Sequence, residues 1–167
     1  MPIAPNDPAL GAVRAAADAA VADLLPARGA VLARLAEQLL STGAAPATLL
    51  IVGLLPRDDD GPTSRTLLAR VTTLLARSLR GDDWLASSGP AEFVIVMGGS
   101  VTGAETAAAR LVAAVEALGI PGLSAAAGLA PLTAGLSAGE VLRRATVSLT
   151  AARRVGPGTV VQHRLPY

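Results

Sequence analysis

The chain contains no cysteine and few aromatic residues, and these absences already exclude several classes of protein. Without cysteine there is no disulfide framework, no thiolate nucleophile and no thiolate metal site. Aromatic residues make up 2% of the 167 residues, so the core must be built from leucine, valine and alanine. Because 51% of the residues are hydrophobic, the chain has enough apolar side chain for such a core, and we expect one domain with an appendage.

Net charge and long apolar runs are also scarce. The 14 basic residues are all arginine and stand against 13 acidic residues, so the net charge of +1 offers no electrostatic footprint for a nucleic-acid polymer. No apolar run approaches the roughly 20 residues that a membrane span needs. Residues 1–7 lack the basic region and apolar stretch of a secretory signal. We therefore expect a cytoplasmic protein with neither a membrane nor a nucleic-acid partner.

Two helical stretches precede the rest of the chain. The first follows Pro8 and is stopped by Pro26, and the second runs from about Ala30 to Leu40. The second stretch carries an apolar face made of Leu32, Leu35, Leu39 and Leu40. Such a stripe is typical both of a homodimer seam and of a helix that packs on its own domain. We expect residues 1–43 to form a helical segment and residues 44–167 to form the main domain.

From residue 47 onward, short apolar runs alternate with amphipathic stretches. The apolar run Ala47–Leu55 predicts a strand buried on both faces, and two further strands flank Gly89-Pro90. Helices are predicted to begin after three capping positions, which are Thr63 or Ser64, Thr102 and Ser137. The predicted order is β-α-β-β-α-β-α-β, and its first six elements are the unit of ferredoxin-like and palm-type folds. The fold class is therefore α+β, an antiparallel sheet with flanking helices.

The most specific pattern lies around the turn between the second and third strands. It consists of Arg80-Gly-Asp-Asp83, a strand, and then Gly89-Pro90-Ala91-Glu92-Phe93. This spacing, together with the element order, resembles the GGDEF family, the diguanylate cyclases that join two GTP molecules into cyclic di-GMP. The resemblance covers roughly residues 46–163 and implies the palm-type fold of that family. It also places the degenerate signature Gly-Pro-Ala-Glu-Phe where the family has its name-giving motif.

The resemblance implies a two-metal phosphoryl-transfer site, but this sequence lacks the carboxylates that such a site needs. In the family they come from a pair at the end of the first strand and from the third signature residue. The matching positions here are Gly53, Leu55 and Ala91. Pro90 replaces the second signature glycine and removes a backbone N–H. We therefore predict a domain without cyclase activity, without a bound metal and without a cofactor.

Other residues near the signature have simpler interpretations. Phe93 is predicted to begin a buried strand, whereas Glu92 is either tied to the active face, as in the family, or a charge at the hairpin edge. Arg153 replaces the family's late lysine and keeps a charge that can hold a phosphate. Asp58–Asp60 is predicted to be a solvated loop, because three consecutive carboxylates cannot all face one ion. His163 is predicted to be a surface residue after the last strand.

Arg80 and Asp83 are the remaining candidates for ligand binding. The resemblance implies that this R-x-x-D is an inhibitory-type site for cyclic di-GMP, in which an arginine grips phosphate or guanine acceptors and an aspartate accepts from the guanine edge. Alternatively, Arg80 neutralises the end of the preceding helix and Asp82-Asp83 makes the turn. The sequence thus predicts either a cyclic di-GMP receptor or a dimerisation or protein-interaction module that binds no nucleotide. A cyclase with displaced metal ligands is a third hypothesis.

Overall fold

The computed structural model describes residues 25–43, 45–55 and 64–164. The predicted helix after Pro8 and the Asp58–Asp60 loop lie outside these residues. From residue 47 onward the described elements follow the predicted order. In chain order the elements are α1 (Arg28–Ser41), β1 (Ala47–Leu54), α2 (Arg65–Ser78), β2 (Trp84–Gly89), β3 (Glu92–Gly98), α3 (Val101–Glu116), β4 (Ala125–Pro131), α4 (Ala138–Val155) and β5 (Val160–Gln162).

The strands form one sheet of five in the order β2-β3-β1-β4-β5. The central strand β1 runs antiparallel to both of its neighbours, and β5 adds a short parallel edge to β4. All eight residues of β1 are buried, as its apolar run predicts. Alternate residues of β1 pack against α2 and α3 on one face and against α1 and α4 on the other. The predicted α+β class is therefore confirmed.

The apolar stripe of α1 packs on the chain's own body. Val31 and Leu35 are fully buried, and Leu32 and Leu39 are partly buried against the same cluster. Leu40 is 89% exposed, so its placement on this face was wrong. It follows Leu35 by five residues, which turns its side chain about 140° around the helix. The intramolecular interpretation therefore describes α1, and a homodimer through the N-terminal helices stays a prediction.

Serine side chains cap the N-termini of α2, α3 and α4. Ser64 and Ser137 accept from backbone N–H groups three residues later, as predicted. Helix α3 starts earlier than predicted, because Ser100 and not Thr102 is its cap. Gly99 directly follows β3 and has a φ of 105°, which lets Ser100 take the extended backbone of a cap. Thr102 consequently lies inside the helix.

The hairpin between β2 and β3 closes with the two residues Pro90 and Ala91. Ala91 has a φ of 57°, the one positive φ at a non-glycine position in the part of the chain that the structure describes. Proline followed by a residue with positive φ is the pattern of a type II turn. The carbonyl of Ala91 accepts from the Leu54 N–H at 2.9 Å, which fixes the turn against the end of β1.

Helix α4 lies unusually close to the sheet at Gly128 of β4. A Cβ atom at this position would lie 2.2 Å from the backbone nitrogen of Leu149 and 2.5 Å from the carbonyl oxygen of Ala145. Both neighbours are backbone atoms of the helix, so they cannot move aside without moving α4 itself. Glycine is therefore required at this position for the observed packing of α4 on β4.

We expect Gly128→Ala to lower the free energy of unfolding by about 3 kcal/mol, near the upper end of the usual cost of overpacking. Urea denaturation monitored by circular dichroism measures this change. Gly139→Ala is the matched control, because a Cβ there meets no atom within 4 Å. In the helix this control should be neutral or stabilising by up to about 1 kcal/mol. Equal losses for the two variants would contradict the close-packing argument.

We expect Ala91→Gly to raise the free energy of unfolding by about 1 kcal/mol, since glycine adopts a positive φ without the steric cost that alanine has there. The measurement is again denaturant unfolding. Ala113→Gly, at an exposed position of α3, should shift stability in the opposite direction by about 1 kcal/mol. A loss of stability in both variants would show that the turn does not strain Ala91.

Candidate functional site

Arg80 and Asp83 are joined within one tight turn. The backbone N–H of Asp83 donates to the carbonyl of Arg80 at 3.1 Å. The Asp83 Oδ2 atom accepts from the Arg80 N–H at 2.9 Å. The Arg80 residue is exposed, whereas Asp83 is half-buried. Asp83 therefore shapes the turn, as the alternative interpretation predicts, and at the same time holds its carboxylate at a fixed position beside Arg80.

The same turn borders a cavity of about 460 Å³ between the end of α2, the end of β3 and the first half of α3. Arg80 and Asp83 both line it, so the structure brings the two predicted residues to one opening. Arg110 of α3 lines the same cavity, and the sequence reasoning missed it. Arg110 is the sole basic residue of α3, whose other residues are mostly small or apolar, and this is the signal that could have singled it out.

A second cavity, of about 600 Å³, lies on the α1 side of Arg80. Its lining includes Arg34, Gln38 and Asp82, together with Arg80 itself. The Arg34 Nε atom is buried and has no hydrogen-bond partner within the described ranges. Arg80 thus borders two openings, and both of them have a second arginine in their walls.

The signature end of the hairpin comprises residues 88–93, and its side-chain hydrogen bonds centre on Glu92. Its Oε1 atom accepts from Arg153 Nη1 at 2.9 Å, and its Oε2 atom accepts from the Ser88 hydroxyl at 3.0 Å. The side chains of Arg153 and Glu92 are 30% and 23% exposed. Glu92 is therefore more than a charge at the hairpin edge, because it ties the hairpin to α4.

The guanidinium of Arg153 lies over Gly53, the position where the family resemblance places a metal carboxylate. Gly53 is the direct cross-strand partner of Glu92, so the two residues project from the same face of the sheet. A Cβ atom on Gly53 would lie 2.6 Å from Arg153 Nη2 and 3.0 Å from Cζ. The absence of a side chain at this position is what makes room for the guanidinium.

The residues at this end do not fit a divalent metal ion. Magnesium and manganese sites need carboxylate or carbonyl oxygens. Gly53, Leu55 and Ala91 supply no side-chain oxygen, and the Glu92 carboxylate is engaged by Arg153 and Ser88. Within residues 25–43, 45–55 and 64–164, no group of three or more histidine, aspartate or glutamate side chains could hold a metal ion.

The remaining candidate residues line neither of these two cavities and take no part in the Glu92–Arg153 ion pair. Phe93 is 3% exposed and belongs to the core, as predicted. Leu55 is half-buried and packs against the core cluster on the α4 face. His163 is half-buried just after β5, where its backbone N–H donates to the Leu129 carbonyl at 2.7 Å. None of the helices described here is long and apolar enough to span a membrane.

Comparisons by sequence return nothing: no family model matches the chain, and no curated protein matches it. Comparison by structure returns GGDEF domains. The coiled coil and GGDEF domain of DgcB from Caulobacter crescentus, solved with cyclic di-GMP, aligns with a TM-score of 0.74 and 19% identity. That alignment covers 92% of this chain and 89% of the solved DgcB chain.

Two further structures agree. The active GGEEF domain of a diguanylate cyclase from Vibrio cholerae has a TM-score of 0.75 at 17% identity, with 85% of this chain and 99% of that chain covered. The FimX GGDEF domain from Pseudomonas aeruginosa has a TM-score of 0.71 at 23% identity, with 83% and 94% covered. At such identities the likeness establishes the fold, and it agrees with the resemblance that the signature region predicts. The chain therefore has the fold of GGDEF domains.

Proposed function

We propose that this protein is a regulatory GGDEF-like domain that makes no cyclic di-GMP and instead binds it, through the cavity bordered by Arg80, Asp83 and Arg110. The observation that carries the proposal is the position of these three side chains around one opening of about 460 Å³. In this proposal the N-terminal segment 1–43 precedes the GGDEF-like domain 44–167, and the protein acts in the cytoplasm.

The chemistry of the cavity suits an anionic, guanine-bearing ligand. Arg80 and Arg110 offer two planar forks that can each make paired, charge-assisted hydrogen bonds to phosphate or to the guanine acceptors. The Asp83 carboxylate is held by the Arg80 N–H and can accept from the guanine N1–H and amino group. Neighbouring Gly98 and Gly99 also line the cavity and leave room for a flat base.

The proposed lack of cyclase activity rests on the signature end. The substitutions at Gly53, Leu55 and Ala91 remove the side chains that would hold bridging metal ions. Pro90 adds bulk and removes a donor at the second signature position. Arg153, which could otherwise reach a phosphate, is paired with Glu92. Because the changes affect several contacts to metal and substrate at once, no single reversal would restore the reaction.

The structural neighbours support the ligand class. DgcB was solved in complex with cyclic di-GMP, and another neighbour is described as showing a novel interaction mode between a microbial GGDEF domain and cyclic di-GMP. Those statements concern the neighbours. They make cyclic di-GMP the first ligand to test on this chain.

A protein-interaction module is the second candidate. The observation that favours it is that Asp83 already makes a hydrogen bond within its own turn, so the R-x-x-D pattern is also accounted for without a ligand. Leu40 and Val155 are large apolar residues with exposures of 89% and 75%. One neighbour, the diguanylate cyclase SiaD of Pseudomonas aeruginosa, was solved in complex with an activator protein, SiaC.

We expect cyclic di-GMP to bind with micromolar or better affinity and GTP to bind far more weakly, as measured by isothermal titration calorimetry. Arg80→Ala and Arg110→Ala should each weaken binding by about ten- to a hundredfold, because each removes a charge-assisted contact. Asp83→Asn should also weaken it, since the amide oxygen can keep the turn bond but the charge is lost.

Arg70→Ala is the matched control for this titration. Arg70 is an exposed arginine of α2 that does not line the cavity, so its loss should leave affinity unchanged. Absence of any heat or thermal shift with wild-type protein at near-millimolar cyclic di-GMP would rule out the receptor. Light scattering that then reported a dimer would favour the interaction module.

We expect no cyclic di-GMP above a no-protein control when the protein is incubated with GTP and Mg²⁺ or Mn²⁺, because the metal carboxylates are missing. Chromatography of the reaction mixture measures the product, and the active Vibrio cholerae GGEEF domain serves as the positive control. Turnover that disappeared on substitution of Asp58–Asp60 would show that the metal site had moved to that loop and that the domain is a cyclase.

A further inference from the structure

We propose that the Arg153 guanidinium permanently occupies the place of the divalent cation at the signature end, so that this face carries a built-in organic cation and does not bind Mg²⁺ or Mn²⁺. The proposal concerns the end of the sheet opposite the Arg80 cavity. It therefore does not depend on whether cyclic di-GMP binds there.

The first argument is the position of the charge. Arg153 Nη2 lies 2.6 Å from the point where a Gly53 Cβ would be, and Nη1 donates to Glu92 Oε1 at 2.9 Å. The guanidinium thus fills the space over Gly53, where the resemblance implies a metal carboxylate, and reaches from there to Glu92. A divalent cation arriving there would meet a fixed positive charge in place of carboxylate oxygens.

The second argument is that both oxygens of the remaining carboxylate are engaged. Glu92 Oε1 is bonded by Arg153, and Oε2 by the Ser88 hydroxyl at 3.0 Å. A metal ion would have to displace a charge-assisted hydrogen bond and would gain a single carboxylate in return. Since hard cations in proteins take several oxygen ligands, this exchange is unfavourable.

The third argument is the mutual dependence of Gly53 and Arg153. A side chain at position 53 would meet the guanidinium and also Leu149 Cδ1, at 3.0 Å. An aspartate there would make Arg153 shift, and the shifted guanidinium would still lie within reach of the new carboxylate. Gly53 and Arg153 therefore depend on each other. Glycine at position 53 supplies no metal ligand, and the guanidinium of Arg153 fills the space that a side chain there would occupy.

The ion pair also gives the hairpin a support that needs no ligand. Glu92 begins β3, Ser88 belongs to β2 and Arg153 belongs to the last turn of α4. The Glu92–Arg153 contact joins residues that are 61 positions apart along the chain. The hairpin is thereby held against α4 in a fixed orientation whether or not a nucleotide or metal is present.

Manganese binding, followed by the electron paramagnetic resonance signal of free Mn²⁺, tests the proposal. The wild-type protein should show no specific site at millimolar Mn²⁺. A G53D/A91D/R153A triple variant, which has the carboxylates and lacks the guanidinium, should bind Mn²⁺. The matched G53D/A91D double variant keeps Arg153 and should bind at least about tenfold more weakly, because the cation must compete with the nearby guanidinium for the introduced carboxylates.

Equal Mn²⁺ affinity in the double and triple variants would overturn the proposal, since Arg153 would then not compete with the ion. The fold of each variant is checked by circular dichroism. A second measurement needs no variant and remains decisive if a variant does not fold. In amide NMR spectra of the wild-type protein, Mn²⁺ should broaden Gly53, Ala91 and Glu92 no more than the region around the exposed Glu116. Selective broadening at the three signature-end amides would overturn the proposal.

Discussion

Helix α4 lies so close to β4 that its backbone atoms at Ala145 and Leu149 would collide with any side chain at position 128. Five residues on its inner face are almost completely buried, namely Val141, Leu142, Ala145, Leu149 and Ala152. Glycine or alanine occupies several facing positions of the sheet, at 53, 126, 128 and 130. Small residues on the sheet and larger ones on the helix therefore set the distance between the two layers.

This close packing also determines what happens at the signature end. Because α4 is near the sheet, Arg153 in its last turn reaches across Gly53 to Glu92. A more distant helix would leave the guanidinium in solvent, where an isolated ion pair contributes little. The ion pair is thus a consequence of the layer spacing, and it connects the β2–β3 hairpin to α4.

The two candidate ends of the molecule are well separated. Gly53 is paired with Glu92 near the end of β1, whereas Gly98, which lines the Arg80 cavity, is paired with Ala47 at the start of β1. Six residues of extended chain span roughly 20 Å. Changes that remove metal ligands at one end therefore leave the arginine-lined cavity at the other end geometrically intact. The proposed loss of metal ligands and the proposed ligand site are therefore compatible, because the sheet keeps the two regions apart.

The order of strands and helices follows from the sequence alone, because apolar periodicity and serine caps are local signals. The eight-residue apolar run of β1 and the caps at Ser64 and Ser137 are examples. The start of α3 was misplaced, since Ser100 and Thr102 are both good caps and only the backbone at Gly99 decides between them. The resemblance likewise places Gly53, Leu55 and Ala91 where metal carboxylates are expected, and that comparison needs no structure.

Tertiary structure decided the relations between distant residues. The pairing of Glu92 with Arg153 joins residues 61 positions apart, and no local pattern encodes such a contact. The same holds for Arg110, which meets Arg80 at one cavity only because α3 packs beside the end of α2. The stripe of α1 was compatible with two partners until the fold placed Leu35 in the chain's own core. Periodicity determines which face of an element is buried, whereas the partner of that face depends on how the elements pack in three dimensions.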